Sequence, residues 1–232
     1  MFIVIEGIDR IGKSTQVELL KQKFALCGVS TEVFNFPAYD TPTGQVIHEH
    51  LHNKLSLTEI SELAGETKIS KHDALVFQCV QTADKYAMAG EFKNLLEGGE
   101  IIICGRWWQS AFVYGQDDGL NASWLLNIHD CLPKADLNIL LDLAPEEASS
   151  QVTESGDRYE RDLDKQKRLR GSYLRLWKAR ASKPHSGWEI VSAVGKVEEV
   201  HDRICDQVSR YLYRFESHQH LVAFWQSLVP KG

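Results

Sequence analysis

Short apolar runs alternate along this chain with longer segments in which apolar residues recur every three or four positions. FIVIE (2–6), EIIICG (100–105) and ADLNILLDL (135–143) are nearly unbroken apolar runs. That is the pattern of strands buried on both faces of a sheet. STEVFNFP (30–37) reads as a strand closed by proline, and WEIVSA (188–193) as a last strand. Between the first two strands, Val17, Leu20, Phe24 and Cys27 recur at helical spacing and Gly28 ends the helix. TGQVIHEHLHNKL (43–55) reads as helix, and residues 59–97 as more helix with glycine breaks near 65 and 90. A strongly charged helix is expected over about 159–181, and VEEVHDRICDQVSRYL (197–212) as the closing one. Strands separated by helices predict an α/β fold with a parallel sheet of about five strands and helices on both faces. Residues 1–213 are expected to form one domain, and the partly apolar segment 214–232 an extension of open role.

Composition narrows the class without changing the fold. The chain has 232 residues, 43% hydrophobic and 25% charged, enough for one large α/β domain. A net charge of −6 argues against a globally basic nucleic-acid binder. Five scattered cysteines with no C-x-x-C pair read as reduced thiols, hence an expected cytoplasmic setting. No signal-peptide pattern opens the sequence, and no apolar stretch approaches the ~20 residues that span a bilayer.

The chemistry starts at EGIDRIGKSTQ (6–16). Gly7, Gly12, Lys13 and Ser14 fit G-x-x-x-x-G-K-[ST], after a buried strand and at the start of an amphipathic helix. Glycines let such a loop curl so that N–H groups point inward, and the helix adds its positive end. The residues 7–15, with Ile8, Ile11 and Thr15 completing the loop, are therefore expected to hold the phosphates of a nucleoside triphosphate, read as ATP. Lys13 is expected to reach its β- and γ-phosphates, and the Ser14 hydroxyl to hold Mg²⁺. Asp9 and Arg10 are unusual in such a loop. A carboxylate facing outward can accept from a hydroxyl on a second substrate. Arg10 can lie along a transferring phosphoryl group. The plainer reading of the pair is a surface ion pair.

These motifs, with FNFPAYDTPTG (34–44), GRWWQSAFVYG (105–115), DRYERD (157–162) and WEIVSAVGKVEEVHDRI (188–204), resemble the thymidylate kinase family over roughly residues 1–212. The resemblance implies phosphoryl transfer from ATP to a thymidine monophosphate (dTMP), a three-layer P-loop kinase fold with a short lid, and a homodimer. It places Asp9 near the acceptor's sugar and Arg106 on its phosphate, where a planar fork suits the oxygens. It places Phe36, Tyr39, Ser110, Tyr114 and Tyr159 around the acceptor, and Ser192, Ala193 and Lys196 beside the donor adenine. The lid falls at about 145–158. Its core, PEEASSQVTESGD (145–157), carries no lysine or arginine, which gives Arg10 the catalytic cation's task.

Two departures stand out. The family has Asp-Arg where this chain has Gly105-Arg106. The missing carboxylate would lower activity or shift the metal role to Glu6 or Asp142, and restoring aspartate at 105 is expected to raise activity or tighten the Mg²⁺ dependence. An aromatic–arginine pair that reads thymine corresponds here to Gln81 and Lys85, with Phe77 one turn earlier as a stacking candidate. Lysine does not reproduce a bidentate guanidinium contact. Deoxyuridine monophosphate or a 5-modified form is thus an alternative acceptor.

Other motifs compete. HEHLH (48–52) satisfies H-E-x-x-H, which would put His48 and His52 on zinc with Glu49 as base and Glu59, Glu62 or Glu66 as third ligand. The alternative is a helix surface carrying three histidines. Trp107-Trp108 reads as core or pocket wall rather than a base-stacking pair. RYERDLDKQKRLR (158–170) alternates in sign and reads as a solvated helix face. The N-K-x-D segment of guanine-binding switches is missing: Asn53-Lys54 is followed by Leu55-Ser56.

Overall fold

Five short strands, all parallel, build one sheet among the described residues of a computed structural model, which are 1–52, 54–57, 71–149, 162–182 and 186–214. In chain order they are β1 (Phe2–Glu6), β2 (Thr31–Asn35), β3 (Ile101–Gly105), β4 (Leu137–Asp142) and β5 (Trp188–Ser192), and in space they run β2-β3-β1-β4-β5. β1 sits at the centre with every residue buried. This is why its run shows no alternation: both faces are covered. The order reverses at β1, and the crevice beyond the strand ends at that point is where open α/β sheets bind ligands.

The two faces separate by strand parity. Ile3, Ile5, Ile101 and Ile103 share a core with Val17, Leu20 and Phe24 of α1 (Lys13–Leu26) and Ile204, Val208 and Leu212 of α8 (Val197–Leu212). Phe2, Val4, Ile102 and Cys104 pack with Trp107 and with Phe92 of α3 (Lys71–Glu97). Trp107 is fully buried and stacks on Phe92, centroids 5.1 Å apart, so it is the core reading of this tryptophan that holds. The short α2 (Pro42–Leu51) lies on α3 through Ile47, Leu51 and Phe77.

Several helices differ from the sequence reading. α3 runs unbroken through Gly90. The roughly 1 kcal/mol cost of mid-helix glycine is outweighed by the buried face formed by Phe77, Thr82 and Phe92. Three helices were not anticipated: α4 (Trp108–Asp117), α5 (Ala122–Ile128) and the one-turn α6 (Pro145–Ser149). α7 spans Leu163–Arg180 and starts at Asp162, whose side chain accepts from the Lys165 N–H at 2.9 Å. Its charged face is not simply solvated. Lys165 is buried between Asp117 and Asp118 at the end of α4, at 3.1 and 2.8 Å. The expected helical segment 59–70, most of the lid, and the tail beyond Arg214 lie outside the described residues. No helix among the described residues is long and apolar enough to cross a membrane.

Candidate active site

Residues 7–12 turn the chain from β1 into α1. Gly7 (φ 146) presses on β4: a Cβ there would lie 2.7 Å from the Leu141 carbonyl oxygen and 2.3 Å from Ile11 Cδ1. Gly12 (φ 84) is the left-handed residue that starts α1, leaving the first N–H groups of the helix uncapped by a side chain. Lys13 folds inward and donates to the Ile8 carbonyl across the loop. Lys13, Ser14 and Asp9 form one wall of a cavity of about 460 Å³. Arg10, half-buried at φ 62, is not part of that wall.

Arg106 faces this loop from the end of β3. Among the described residues it is the other non-glycine residue in the left-handed region, φ 65. Such a conformation costs on the order of 1–3 kcal/mol and persists where the surroundings enforce it. Its guanidinium donates to the Asp9 carboxylate, to the Ser110 hydroxyl at 3.3 Å and to the Gly7 carbonyl at 3.4 Å. Asp9 also accepts from the Tyr114 hydroxyl at 2.7 Å and the Gln166 amide at 2.8 Å. Burial alone would raise the Asp9 carboxyl, but Arg106, Lys13 and these two donors hold it below the ordinary aspartate value. Burial likewise works against charge on Arg106, and Asp9 overrides it, keeping the guanidinium protonated.

The far end of the cavity is built by α3 and the loop after β2. Phe36, Tyr39, Phe77, Gln81 and Lys85 line it. Asp84, fully buried, fastens that loop by accepting from the Ala38 N–H and the Thr41 and Thr43 hydroxyls at 2.8–3.1 Å. Lys85 is buried; its ammonium donates to the Gln81 carbonyl at 3.1 Å and lies 5.4 Å from the Phe36 ring centroid. Burial, only partly offset by Asp84 and Glu6, lowers its pKa to about 8.

Other expected residues have different surroundings. Glu6 is fully buried and works as a helix cap. One oxygen accepts from the Trp107 and Ser110 N–H groups at 2.7 and 3.1 Å, the other from the Ser110 and Tyr173 hydroxyls at 2.7 and 3.1 Å. The metal role expected for Glu6 competes with all four donors. Asp142 is held by Arg170 through two hydrogen bonds, 2.6 and 2.9 Å, which compete with the metal role expected as an alternative for it. Ser192, Ala193 and Lys196 lie in the turn from β5 to α8, outside the cavity wall. The Gln16 amide donates to the Val197 carbonyl at 2.9 Å and links this turn to α1. His48 and His52 stack at 4.2 Å, and His52 bonds the His48 carbonyl. Among the described residues no cluster of three or more His, Cys, Asp or Glu is placed to hold a metal. Glu59, Glu62, Glu66 and Tyr159 fall outside the described residues.

Sequence reasoning missed three contributors. Gln166 reaches Asp9 from a run that reads as surface charge. Asp84 looks like one more helix acid. Asn35, which lines the cavity beside Gly105, sits in the FNFPAYDTPTG motif but was given no role there. Gly105 itself is explained by Asn35: a Cβ at 105 would lie 2.3 Å from Asn35 Oδ1. Restoring aspartate there therefore has to displace Asn35, which alters the expectation that this change alone raises activity.

A family model described as thymidylate kinase matches residues 5–204. A probable thymidylate kinase of Pyrococcus abyssi is 34% identical over 217 residues, 91% of this chain and 97% of that protein. The thymidylate kinase of Dictyostelium discoideum is 26% identical over 205 residues, 88% of this chain and 82% of its own length. A solved thymidylate kinase structure from Candida albicans, reported to reveal the origin of that enzyme's broad substrate specificity, aligns with a TM-score of 0.71 at 25% identity, covering 94% of this chain and 92% of its own. Agreement over nearly the full length, on a fold whose loop and opposed arginine already face each other across one cavity, decides the assignment: the chain belongs to the thymidylate kinase family and is an ATP-dependent nucleoside monophosphate kinase.

Proposed function

We propose that this kinase moves the γ-phosphoryl group of ATP onto dTMP to give dTDP. The observation that carries the reading is one cavity with Lys13 and Ser14 on one wall, Arg106 on another, and an aromatic and amide end at Phe36, Phe77 and Gln81. Phosphoryl transfer asks little covalent chemistry of a protein; alignment and charge neutralisation do the work. Lys13 and Arg10 act on the transferring group, Arg106 on the acceptor phosphate and Asp9 on the acceptor sugar. The turn Ser192–Lys196 takes the adenine. The Ser14 hydroxyl, a hard oxygen on the cavity wall, fits a magnesium ion that keeps most of its waters. When bound, magnesium neutralises charge on the β- and γ-oxygens.

Lys85 and Gln81 support a second acceptor reading, dUMP or a 5-modified dUMP, because the base end presents an ammonium and an amide in place of an aromatic–arginine pair. The same proposal includes a homodimer, residues 1–213 as the catalytic domain with a lid at about 145–158, and 214–232 as an extension. A cytoplasmic setting fits the five free thiols. A panel of nucleoside monophosphates incubated with Mg·ATP, read as ADP formed, tests the function. Fast ADP release with dTMP or dUMP alone is expected; ADP formation indifferent to any monophosphate would overturn it.

A further inference from the structure

Asn35 ends β2 and pairs in register with Gly105, which ends β3. Gly105 does not occupy the left-handed region, so its backbone does not call for glycine. Its reason is space. A Cβ at 105 would sit 2.3 Å from Asn35 Oδ1, 3.4 Å from Asn35 Cγ and 3.6 Å from Val17 Cγ2. The side chain of Asn35 therefore lies across the end of β3, over the spot a larger residue would fill. Both residues line the cavity with Lys13, Ser14 and Arg106, so the amide group of Asn35 sits at its edge.

The charged donors around it are already bonded within the protein. Lys13 donates to the Ile8 carbonyl, and Arg106 to Asp9, Ser110 and Gly7. Asn35 is exposed and lines the cavity. A neutral amide brings two N–H donors to an anion without adding charge. We infer that Asn35 is an acceptor-binding residue whose amide donates to the phosphate of the nucleoside monophosphate, and that position 105 is glycine so that this amide fits there. The inference rests on the kinase reading above and adds a residue to it.

Isothermal titration with dTMP and with thymidine, and with dUMP and deoxyuridine as a second pair, separates phosphate contacts from base and sugar contacts. Asn35→Ala is expected to weaken the monophosphate about tenfold or more and leave the nucleoside within about twofold, as loss of a hydrogen bond to a charged group predicts. Gly105→Ala is expected to push the amide aside and reproduce that loss. The double variant is expected to be no worse than Asn35→Ala, the signature of two residues acting through one contact. Asn35→Asp keeps the shape and is expected to lose more than alanine, through repulsion of the phosphate. Unchanged dTMP and dUMP affinity in Asn35→Ala, or equal losses for monophosphate and nucleoside, would overturn the assignment while the kinase reading stands. Wild-type protein that binds neither monophosphate would overturn both.

Discussion

Asp9 and Arg106 pair across the cavity: the carboxylate from the loop after β1 meets the guanidinium from the end of β3. Both side chains are mostly buried, 11% and 20% exposed, so each charge depends on the other. Asp9→Asn is expected to destabilise the fold by about 3 kcal/mol at neutral pH, because it leaves the Arg106 charge without its counter-charge. Since the Asp9 carboxyl is held below the ordinary aspartate value, its contribution is present above pH 3.8 and is lost as pH falls through the lowered value. The gap between wild type and variant in denaturant unfolding should therefore close in acid. A gap independent of pH would mean the pair contributes through packing alone.

Lys13 contributes differently. Its ammonium bonds the Ile8 carbonyl within the loop, and the role proposed for it on the phosphates requires it to leave that contact. Lys13→Met keeps the aliphatic stem and removes the charge, so turnover is expected to fall by on the order of 100-fold or more. The melting temperature should stay close to that of wild type. Steady-state rates and a thermal melt check both; near-normal turnover would remove Lys13 from the reaction.

The sheet and the phosphate loop were legible because their signals are local. An unbroken apolar run such as FIVIE states burial on both faces, and the glycine pattern states where the chain turns from β1 into α1. α4 was not legible, because what starts it is the Glu6 carboxylate about a hundred residues earlier, reaching the N–H groups of Trp107 and Ser110. Gln166 was hidden for the same reason: its role appears only when α7 packs over the loop and brings its amide to Asp9. Gly105 was readable as an oddity from sequence, but its cause sits on a neighbouring strand, in the side chain of Asn35.

The Glu6 network separates a structural carboxylate from a metal ligand. Glu6→Gln keeps one acceptor oxygen but replaces the other with an amide that cannot accept from the Ser110 and Tyr173 hydroxyls. A loss of about 2 kcal/mol is expected, because the amide reverses the donor direction at that oxygen and forces the Ser110 and Tyr173 hydroxyls, 2.8 Å apart, to reorient, visible as a lower midpoint in denaturant. The magnesium concentration that gives half-maximal rate is expected to stay where it is in wild type. A raised magnesium requirement with unchanged stability would instead return Glu6 to the metal.

Lys85 gives the base end a pH signature. The ordinary lysine value is 10.5, and burial brings this one to about 8. Between those values the unfolded chain holds more protons than the folded one, so the stability contribution of this group rises with pH across that window. Acceptor binding is expected to move the opposite way. A charged ammonium donates more strongly to a keto oxygen of thymine or uracil than a neutral amine does, so dTMP affinity should fall several-fold as pH passes from 7 to 9. Lys85→Arg keeps its charge throughout and is expected to flatten that fall, whereas Lys85→Met should bind weakly at every pH with the same flat profile. Titrations of dTMP across this range decide the matter. A wild-type slope that persists in both variants would assign the titration to another group and remove Lys85 from base recognition.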